Sequence, residues 1–146
     1  MAKKLLIAGS ALALICSCNS MENPLLKESS APFGAPEFDK IRNEHYLPAF
    51  EAGIAEAKAE IDAIVANKEE PTFENTIEAM EVSGQTLNNV AGIFFNLMEA
   101  DTDDEMQQIA ESVSPMLTEY SMYVSLNNDL FQRVKAVYEK KDELGL

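Results

Sequence analysis

The sequence predicts an all-α protein of about four helices arranged as antiparallel hairpins. Apolar residues recur at steps of three and four along four segments, and short polar connections separate these segments. No segment shows sustained alternation of apolar and polar residues or the turn signal of a β-hairpin. The long apolar stripes are numerous enough to bury one another, so a helical core is expected without a sheet.

Residues 1–17 predict a lipoprotein signal peptide. Two lysines precede an apolar run of 11 residues, which is too short to span a bilayer as a helix. Ile15 stands three positions before Cys18, and the small Ser17 stands directly before it, as in a bacterial lipobox. We expect cleavage before Cys18 and lipidation of its thiol, giving an exported lipoprotein of the bacterial cell envelope (periplasm or outer membrane). The alternative is an ordinary secretory signal in which Cys16 and Cys18 are incidental.

The charge and the cysteine content exclude several kinds of function. Removal of two of the 11 basic residues with the signal would leave nine against 25 acidic ones, a net charge of −16. An acidic chain without a run of basic residues binds nucleic acids and anionic lipid surfaces poorly. Membrane attachment is therefore expected only through the lipid anchor. With Cys18 lipidated, no thiol remains for a disulfide or a metal site.

Residues 18–36 predict a tether and an extended lead-in, and residues 37–146 predict the helical region. The lead-in is rich in Asn, Ser, Pro and Gly, and its three prolines bias the preceding residues away from helix. Phe33 and Phe38 are the large apolar side chains nearest the body of the protein. We expect both rings to anchor the lead-in.

The first helix is predicted from about Asn43 to Ala66. Pro48 fits a position at or just past the first turn, where proline is tolerated. The predicted buried stripe consists of Leu47, Phe50, Ile54, Ala57, Ile61 and Ile64.

The second helix is predicted from Thr72, as its cap, to about Ala100. Gly84 falls on the apolar stripe, which suggests close approach of a neighbouring helix. The stripe consists of Phe73, Ile77, Met80, Leu87, Val90, Phe94 and Leu97.

A third helix is predicted after Thr102, which forms a T-x-x-E capping box with Glu105. Pro115 interrupts this helix and should bend it. Its stripe consists of Met106, Ile109, Val113, Leu117, Tyr120 and Val124. A fourth segment ends at Gly145 and carries Leu130, Val134, Val137 and Tyr138.

Three short motifs carry a family resemblance. They are Glu-His-Tyr-Leu-Pro-Ala-Phe at 44–50, Pro-Thr-Phe-Glu-Asn-Thr at 71–76 and Phe-Phe-Asn-Leu at 94–97. With the sequence from Asn23 to Leu146, they resemble the N-terminal region of zinc metallopeptidases of the thimet oligopeptidase type. The bacterial peptidyl-dipeptidases, or dipeptidyl carboxypeptidases, are the most similar branch.

The resemblance implies a function for a longer protein. In this family, two mostly helical regions close over a channel that admits short peptides, and the N-terminal helices form a wall or lid. One zinc ion is held by an H-E-x-x-H helix in the C-terminal half, and peptidyl-dipeptidases release dipeptides from peptide C-termini. The tail from Lys140 to Leu146 looks like a chain cut at an inter-helix loop. We therefore expect the partner to be a missing C-terminal catalytic region, and this chain alone to be inactive.

No catalytic, cofactor-binding or metal-binding residue is predicted in this chain. His45 is the single histidine, so H-E-x-x-H cannot form, and a role at a helix start is favoured for it. Asp101, Asp103 and Glu105 alternate as in a calcium loop, but Met106 stands where that loop needs glycine. The alternative function is a self-contained envelope helical bundle that binds a peptide or protein partner.

Overall fold

The computed structural model describes residues 23–145. The predicted signal peptide, Cys16 and Cys18 lie outside these residues, as does Leu146. The described residues form helices and turns and contain no strand, which confirms the all-α prediction. Within the same residues, no helix combines the length and apolar character needed to cross a membrane.

Six α-helices follow a lead-in of short 3₁₀ turns. The turns are Pro24–Leu26, Pro32–Gly34 and Asn43–His45, and a π-helical segment, Phe73–Glu78, precedes the second α-helix. The α-helices are α1 Tyr46–Ala66, α2 Ala79–Glu81, α3 Gln85–Ala100, α4 Asp104–Ser125, α5 Asn128–Tyr138 and α6 Lys141–Leu144.

Helix α1 is the centre of the fold and packs against α3, α4 and α5. Gly53 permits the closest approach, because a Cβ built there would lie 3.0 Å from the Cα of Leu87 on α3. The predicted α1 stripe is confirmed from Phe50 to Ile64, while Leu47 is only half-buried. Pro48 is the third residue of α1, as predicted for a first-turn proline.

The larger core lies around the N-terminal half of α1. Phe94 is fully buried, and its ring makes edge contacts with Tyr46 and Phe50 at centroid distances of 4.8 and 5.5 Å. The other buried members of this core are Leu25, Ala49, Ile54, Ala57, Leu87, Val90, Met106 and Val113. Phe95 packs against them while partly exposed, and the predicted burial of Phe94 on its stripe is confirmed.

A smaller core lies at the C-terminal half of α1. Ile61 and Ile64 meet Leu130 of α5, with Tyr123 and Val124 of α4 packed alongside. The two cores together account for the buried face of α1 along its length.

The predicted second helix is broken, which corrects the sequence interpretation. A turn at 82–84 separates α2 from α3, and Gly84 has a left-handed backbone with φ of 71°. A Cβ on Gly84 would make an ordinary 3.5 Å contact with Ala57, so its backbone conformation, rather than close packing, requires glycine. The predicted cap is confirmed, because the Thr72 hydroxyl accepts a hydrogen bond from the Asn75 amide at 3.1 Å.

The anchors of the lead-in differ from those predicted. Phe33 and Phe38 are exposed, by 107% and 52%, so neither ring pins the segment. Leu25 does so instead, with 8% exposure, in a turn that packs against α1 and α3. Asn23 caps that turn by accepting from the Leu25 amide and donates to the His45 carbonyl at 2.7 Å. A polar cap and one leucine therefore hold the lead-in.

Two helix boundaries also shift. Asp103, rather than Thr102, caps α4 by accepting a hydrogen bond from the Met106 amide at 2.7 Å, so the predicted capping box is wrong by one position. The first helix begins as a 3₁₀ turn, and α1 starts only at Tyr46. The fourth apolar segment divides into α5 and α6, and ends as predicted at Gly145, which has a left-handed backbone.

Candidate functional site

His45 serves the local fold at the start of α1. Its Nδ1 accepts a hydrogen bond from the Arg42 amide at 3.0 Å, and its carbonyl accepts one from the Asn23 side chain. Its Nε2 lies 4.0 Å from a carboxylate oxygen of Glu44. The ring therefore holds the helix start together, which is the role that the sequence favoured.

The acidic cluster ahead of α4 forms a cap and a cross-link between helices. Asp103 and Glu105 both accept hydrogen bonds from the Asn43 side chain, at 3.1 Å and 2.9 Å. The pKa of Asp103 is held below its usual value, first by the Met106 amide that it caps and then by Asn43. Asp101 lies apart, as the residue that ends α3. The carboxylates that resemble a calcium loop thus connect the starts of α1 and α4.

The side-chain donors that the structure describes do not fit a zinc ion. Among residues 23–145, no three His, Cys, Asp or Glu side chains are placed to hold a metal together. Structural zinc needs four protein ligands and catalytic zinc three, usually including His or Cys. No step of metal chemistry can therefore be assigned to the described residues.

Arg133 is a buried polar centre that the sequence interpretation missed. Its side chain is only 8% exposed, and it donates to the backbone carbonyls of Asn67 and Glu69 at 2.9 and 3.4 Å. It also donates to the Asn75 side-chain oxygen at 3.0 Å and to the Thr76 hydroxyl at 3.4 Å. Arg133 therefore ties α5 to the loop after α1 and to the π-helical segment. Its Nε has no hydrogen-bond partner among the described residues.

A signal for Arg133 was present in the spacing. Leu130, Arg133 and Val137 occur at steps of three and four, and these three residues are the buried face of α5. A second link lies beside them, because the Lys140 ammonium donates to the Glu70 carboxylate and lowers its pKa. The loop after α1 is thus held at both ends by the C-terminal helices.

An apolar groove runs along the outer side of α5, and we call it the α5 groove. It has a volume of about 290 Å³ and is lined by Phe73, Ile77, Val134, Val137, Tyr138 and Lys141. Tyr138 is 62% exposed, and the Lys141 ammonium lies over its ring at 4.3 Å and donates to its hydroxyl at 3.0 Å. Of the four residues assigned to one stripe by sequence, Val134 and Tyr138 border this open groove rather than the core.

A second cleft, of about 470 Å³, lies between the lead-in and α3. Leu25, Ile41 and Ile93 supply its apolar side, while Lys27, Glu28 and Glu37 supply charge. The Glu37 carboxylate is already paired with Lys40 at 2.7 Å and accepts from the Ser30 hydroxyl. This cleft is shaped by the lead-in itself and holds no catalytic constellation.

The chain is similar to parts of longer peptidases. No family model matches the chain. Oligopeptidase A of Escherichia coli (strain K12) is 28% identical over 112 residues, which cover 77% of this chain and 16% of that protein. A thimet-like oligopeptidase of Dictyostelium discoideum is 29% identical over 101 residues, 69% of this chain and 14% of that protein. Both matches are to short parts of longer oligopeptidases, one of which is named thimet-like.

Within that class, identity is higher to a particular branch. The chain is 45% identical over 124 residues to dipeptidyl carboxypeptidase of Escherichia coli (strain K12). The match covers 85% of this chain and 18% of that protein, so the chain spans about a fifth of the relative's length. The predicted resemblance is confirmed: this chain is related to the N-terminal region of thimet oligopeptidase-like peptidases, and to that of dipeptidyl carboxypeptidases in particular.

Proposed function

We propose that this chain is the N-terminal channel-wall or lid region of a zinc-dependent peptidyl-dipeptidase. The observation that carries the proposal is the 45% identity, over 124 residues, to a protein named dipeptidyl carboxypeptidase. The full-length enzyme would release dipeptides from the C-termini of short peptides. This region would shape the channel that admits the peptide, while a C-terminal catalytic region would supply the zinc ion and the reacting groups.

The composition of the described residues supports a shaping role. Several of their polar side chains form helix caps and links between helices, such as Asp103 with Asn43 and Arg133 with the loop after α1. Zinc would be bound by a downstream H-E-x-x-H helix, because this chain has one histidine in total. The described helices would orient and exclude peptides rather than activate water.

The decisive test is the coding sequence beyond Leu146 and the activity of its product. We expect an open reading frame that encodes H-E-x-x-H, and a full-length protein that removes dipeptides from a peptide with a free C-terminal carboxylate. A chelator should abolish this hydrolysis, and the same peptide with an amidated C-terminus should serve as the control. A stop codon directly after Leu146 together with a stable monomer would instead support the self-contained bundle.

The chain by itself should neither bind zinc stoichiometrically nor cleave peptides. One histidine and no thiol beyond the predicted lipidation site and Cys16 leave too few ligands. Calorimetry with zinc at neutral pH, together with a chromogenic peptide assay, checks both points. Sub-micromolar zinc binding, or hydrolysis that a chelator blocks, would contradict the proposal.

We also propose that the protein is an envelope lipoprotein anchored at Cys18. The support is the sequence of residues 1–18, which lie outside the described structure. Acyl chains stabilise membrane binding by about 0.8 kcal/mol per buried CH₂ group. Cys18→Ser should lose radiolabelled palmitate and leave the membrane fraction, whereas Cys16→Ser should retain both. Equal labelling of Cys18→Ser and the unaltered protein would refute the assignment.

A further inference from the structure

Helix α5 is apolar on two faces. Leu130 and Val137, with the aliphatic stem of Arg133, form the face turned to α1 and the π-helical segment. A second set of residues, Phe131, Val134 and Tyr138, follows the same steps of three and four along another face, and the two aromatic rings are 59% and 62% exposed. The two sets lie about 100° apart on the helix, so α5 carries one wide apolar stripe, which is normally covered across its whole width.

Two residues of this second face, Val134 and Tyr138, line a groove rather than a flat surface. Phe73 and Ile77 of the π-helical segment form the opposite wall, and Lys141 lies at the C-terminal end over the Tyr138 ring. Arg133 and the Lys140–Glu70 pair fix the two walls relative to each other. The groove is therefore a preformed apolar surface with a cationic residue at one end, and it suits the apolar face of an amphipathic helix.

Three occupants can be compared. A second copy would bring its own net charge of −14 against the first, which opposes close association. The N-terminal segment would enter from Asn23, which is bonded to His45 at the far end of α1. Helix α1, with 21 residues and a rise of 1.5 Å per residue, is about 30 Å long, and α5 packs at its opposite end.

Any polypeptide downstream of Leu146 would be close to the groove in sequence. Leu146 follows the groove residue Lys141 by only five positions. Relatives named dipeptidyl carboxypeptidase are more than five times as long as the matched region, which covers 18% of their length. A short connection gives a following segment a high effective concentration at the groove.

We propose that the α5 groove is the docking site for an apolar-faced helix in the polypeptide that follows Leu146 in the full-length protein. This inference rests on the proposed function, because it requires the downstream region to exist. It adds where the downstream region would pack against the described helices. Lys141 would favour an acidic residue at the adjoining end of the incoming helix.

The test is photo-cross-linking in the full-length protein. A photoreactive phenylalanine analogue replaces Tyr138 in the groove or, as the matched control, Phe33, an aromatic residue that is fully exposed on the lead-in. We expect position 138 to cross-link within the same molecule to residues downstream of 146, with at least a tenfold higher yield than position 33. Mass spectrometry identifies the joined peptides. Cross-links to residues 1–22 or to a second copy, or a yield equal to the control, would overturn the inference.

A second measurement separates this inference from the proposed function. Tyr138→Glu in the full-length protein places a charge in the groove and should lower the melting temperature by several degrees, while Phe33→Glu should not. If the full-length protein hydrolyses peptides but neither the cross-link nor the shift appears, the docking proposal fails and the proposed function stands. If no region downstream of Leu146 is encoded, both fail together.

Discussion

The two ends of α1 are stabilised in different ways. At the N-terminal end, aromatic rings from α1 and α3 pack edge to face, and Phe94, Phe50 and Tyr46 are almost wholly buried. At the C-terminal end, the buried apolar set shrinks to Ile61, Ile64 and Leu130. There the buried guanidinium of Arg133 holds a loop and a helix through hydrogen bonds, and an apolar groove stays open beside it.

This difference separates a region whose apolar faces are covered from one that leaves an apolar groove open. Apolar burial alone can hold the first region, since its helices cover one another's stripes. The second region relies on directional hydrogen bonds, which position its segments but bury less apolar surface. We therefore expect substitutions to act globally at the first end and locally at the second, and the following predictions test that contrast in order of decreasing effect.

Leu87→Asp should abolish cooperative melting of the described region. Leu87 is 4% exposed and lies where α3 approaches Gly53 of α1, so its replacement buries an unpaired carboxylate. Such burial costs about 4 kcal/mol or more, which is most of the stability of a small domain. Thermal melting followed by circular dichroism is the measurement. The control is Val82→Asp, where the side chain is 58% exposed and the melting curve should barely change; similar curves for the two variants would remove the contrast.

Arg133→Met should destabilise by about 2–4 kcal/mol, because it leaves the buried Thr76 hydroxyl and part-buried carbonyl and side-chain oxygens without their charged donor. Hydrogen exchange should speed up in the loop after α1 and in the Phe73–Glu78 segment, while the aromatic core stays protected. Lys135→Met is the matched control: its ammonium is exposed and 3.6 Å from Glu139, a pair worth about 0.5 kcal/mol at most. Equal effects of the two substitutions would mean that Arg133 is not the anchor of this end.

Two glycine substitutions should change stability in opposite directions. Gly53→Ala forces a Cβ to within 3.0 Å of the Leu87 backbone, so we expect a loss of about 1–3 kcal/mol. Gly92→Ala lies in α3 with nothing within 4 Å of the added Cβ, and should gain about 0.5–1 kcal/mol through helix propensity. Urea unfolding of both variants measures the pair. A stable Gly53→Ala variant would show that the α1–α3 approach is less constrained than the geometry indicates.

The Asp103 cap should make a small, pH-dependent contribution at the rim of the larger core. Its folded-state pKa lies below the ordinary value of 3.8, first through the Met106 amide and then through Asn43. The contribution is therefore complete above that ordinary value and is lost as pH falls through the lower folded-state pKa. Asp103→Asn keeps an acceptor for the cap but removes the titration, so its melting temperature should fall less steeply in acid. Asp104→Asn, which removes the same formal charge one residue later, is the control; identical slopes for all three proteins would exclude the effect.

Periodicity predicted the parts of the fold in which one face of a helix is buried. The α1 stripe from Phe50 to Ile64 and the Thr72 cap follow directly from residue spacing and cap chemistry. The break at Gly84 was missed because a glycine on a stripe looks the same whether it permits close packing or a left-handed turn. Only the backbone path distinguishes the two.

The candidate site was predictable only in part. His45 could be assigned to a helix start because a single imidazole cannot form H-E-x-x-H. Arg133 was not predicted to be buried because it is charged, although its position lies on the buried stripe of α5. Val134 and Tyr138 were assigned to the same stripe as Leu130 and Val137 because the two apolar sets of α5 merge into one sequence pattern. The position of the groove depends on where the π-helical segment packs, which local sequence does not specify.

The hydrogen bonds of Arg133 to main-chain oxygens affect which loop positions can vary during evolution. Carbonyl groups are common to every residue type, so Arg133 holds the loop without reading the side chains of Asn67 or Glu69. Lys68 and Glu69 are exposed and can therefore change freely among descendants of this gene while the loop keeps its path. Asn75 and Arg133 lack that freedom, since each supplies a specific side-chain partner. Variability in the loop should therefore coexist with an invariant arginine in α5, with three α-helices between the two along the chain.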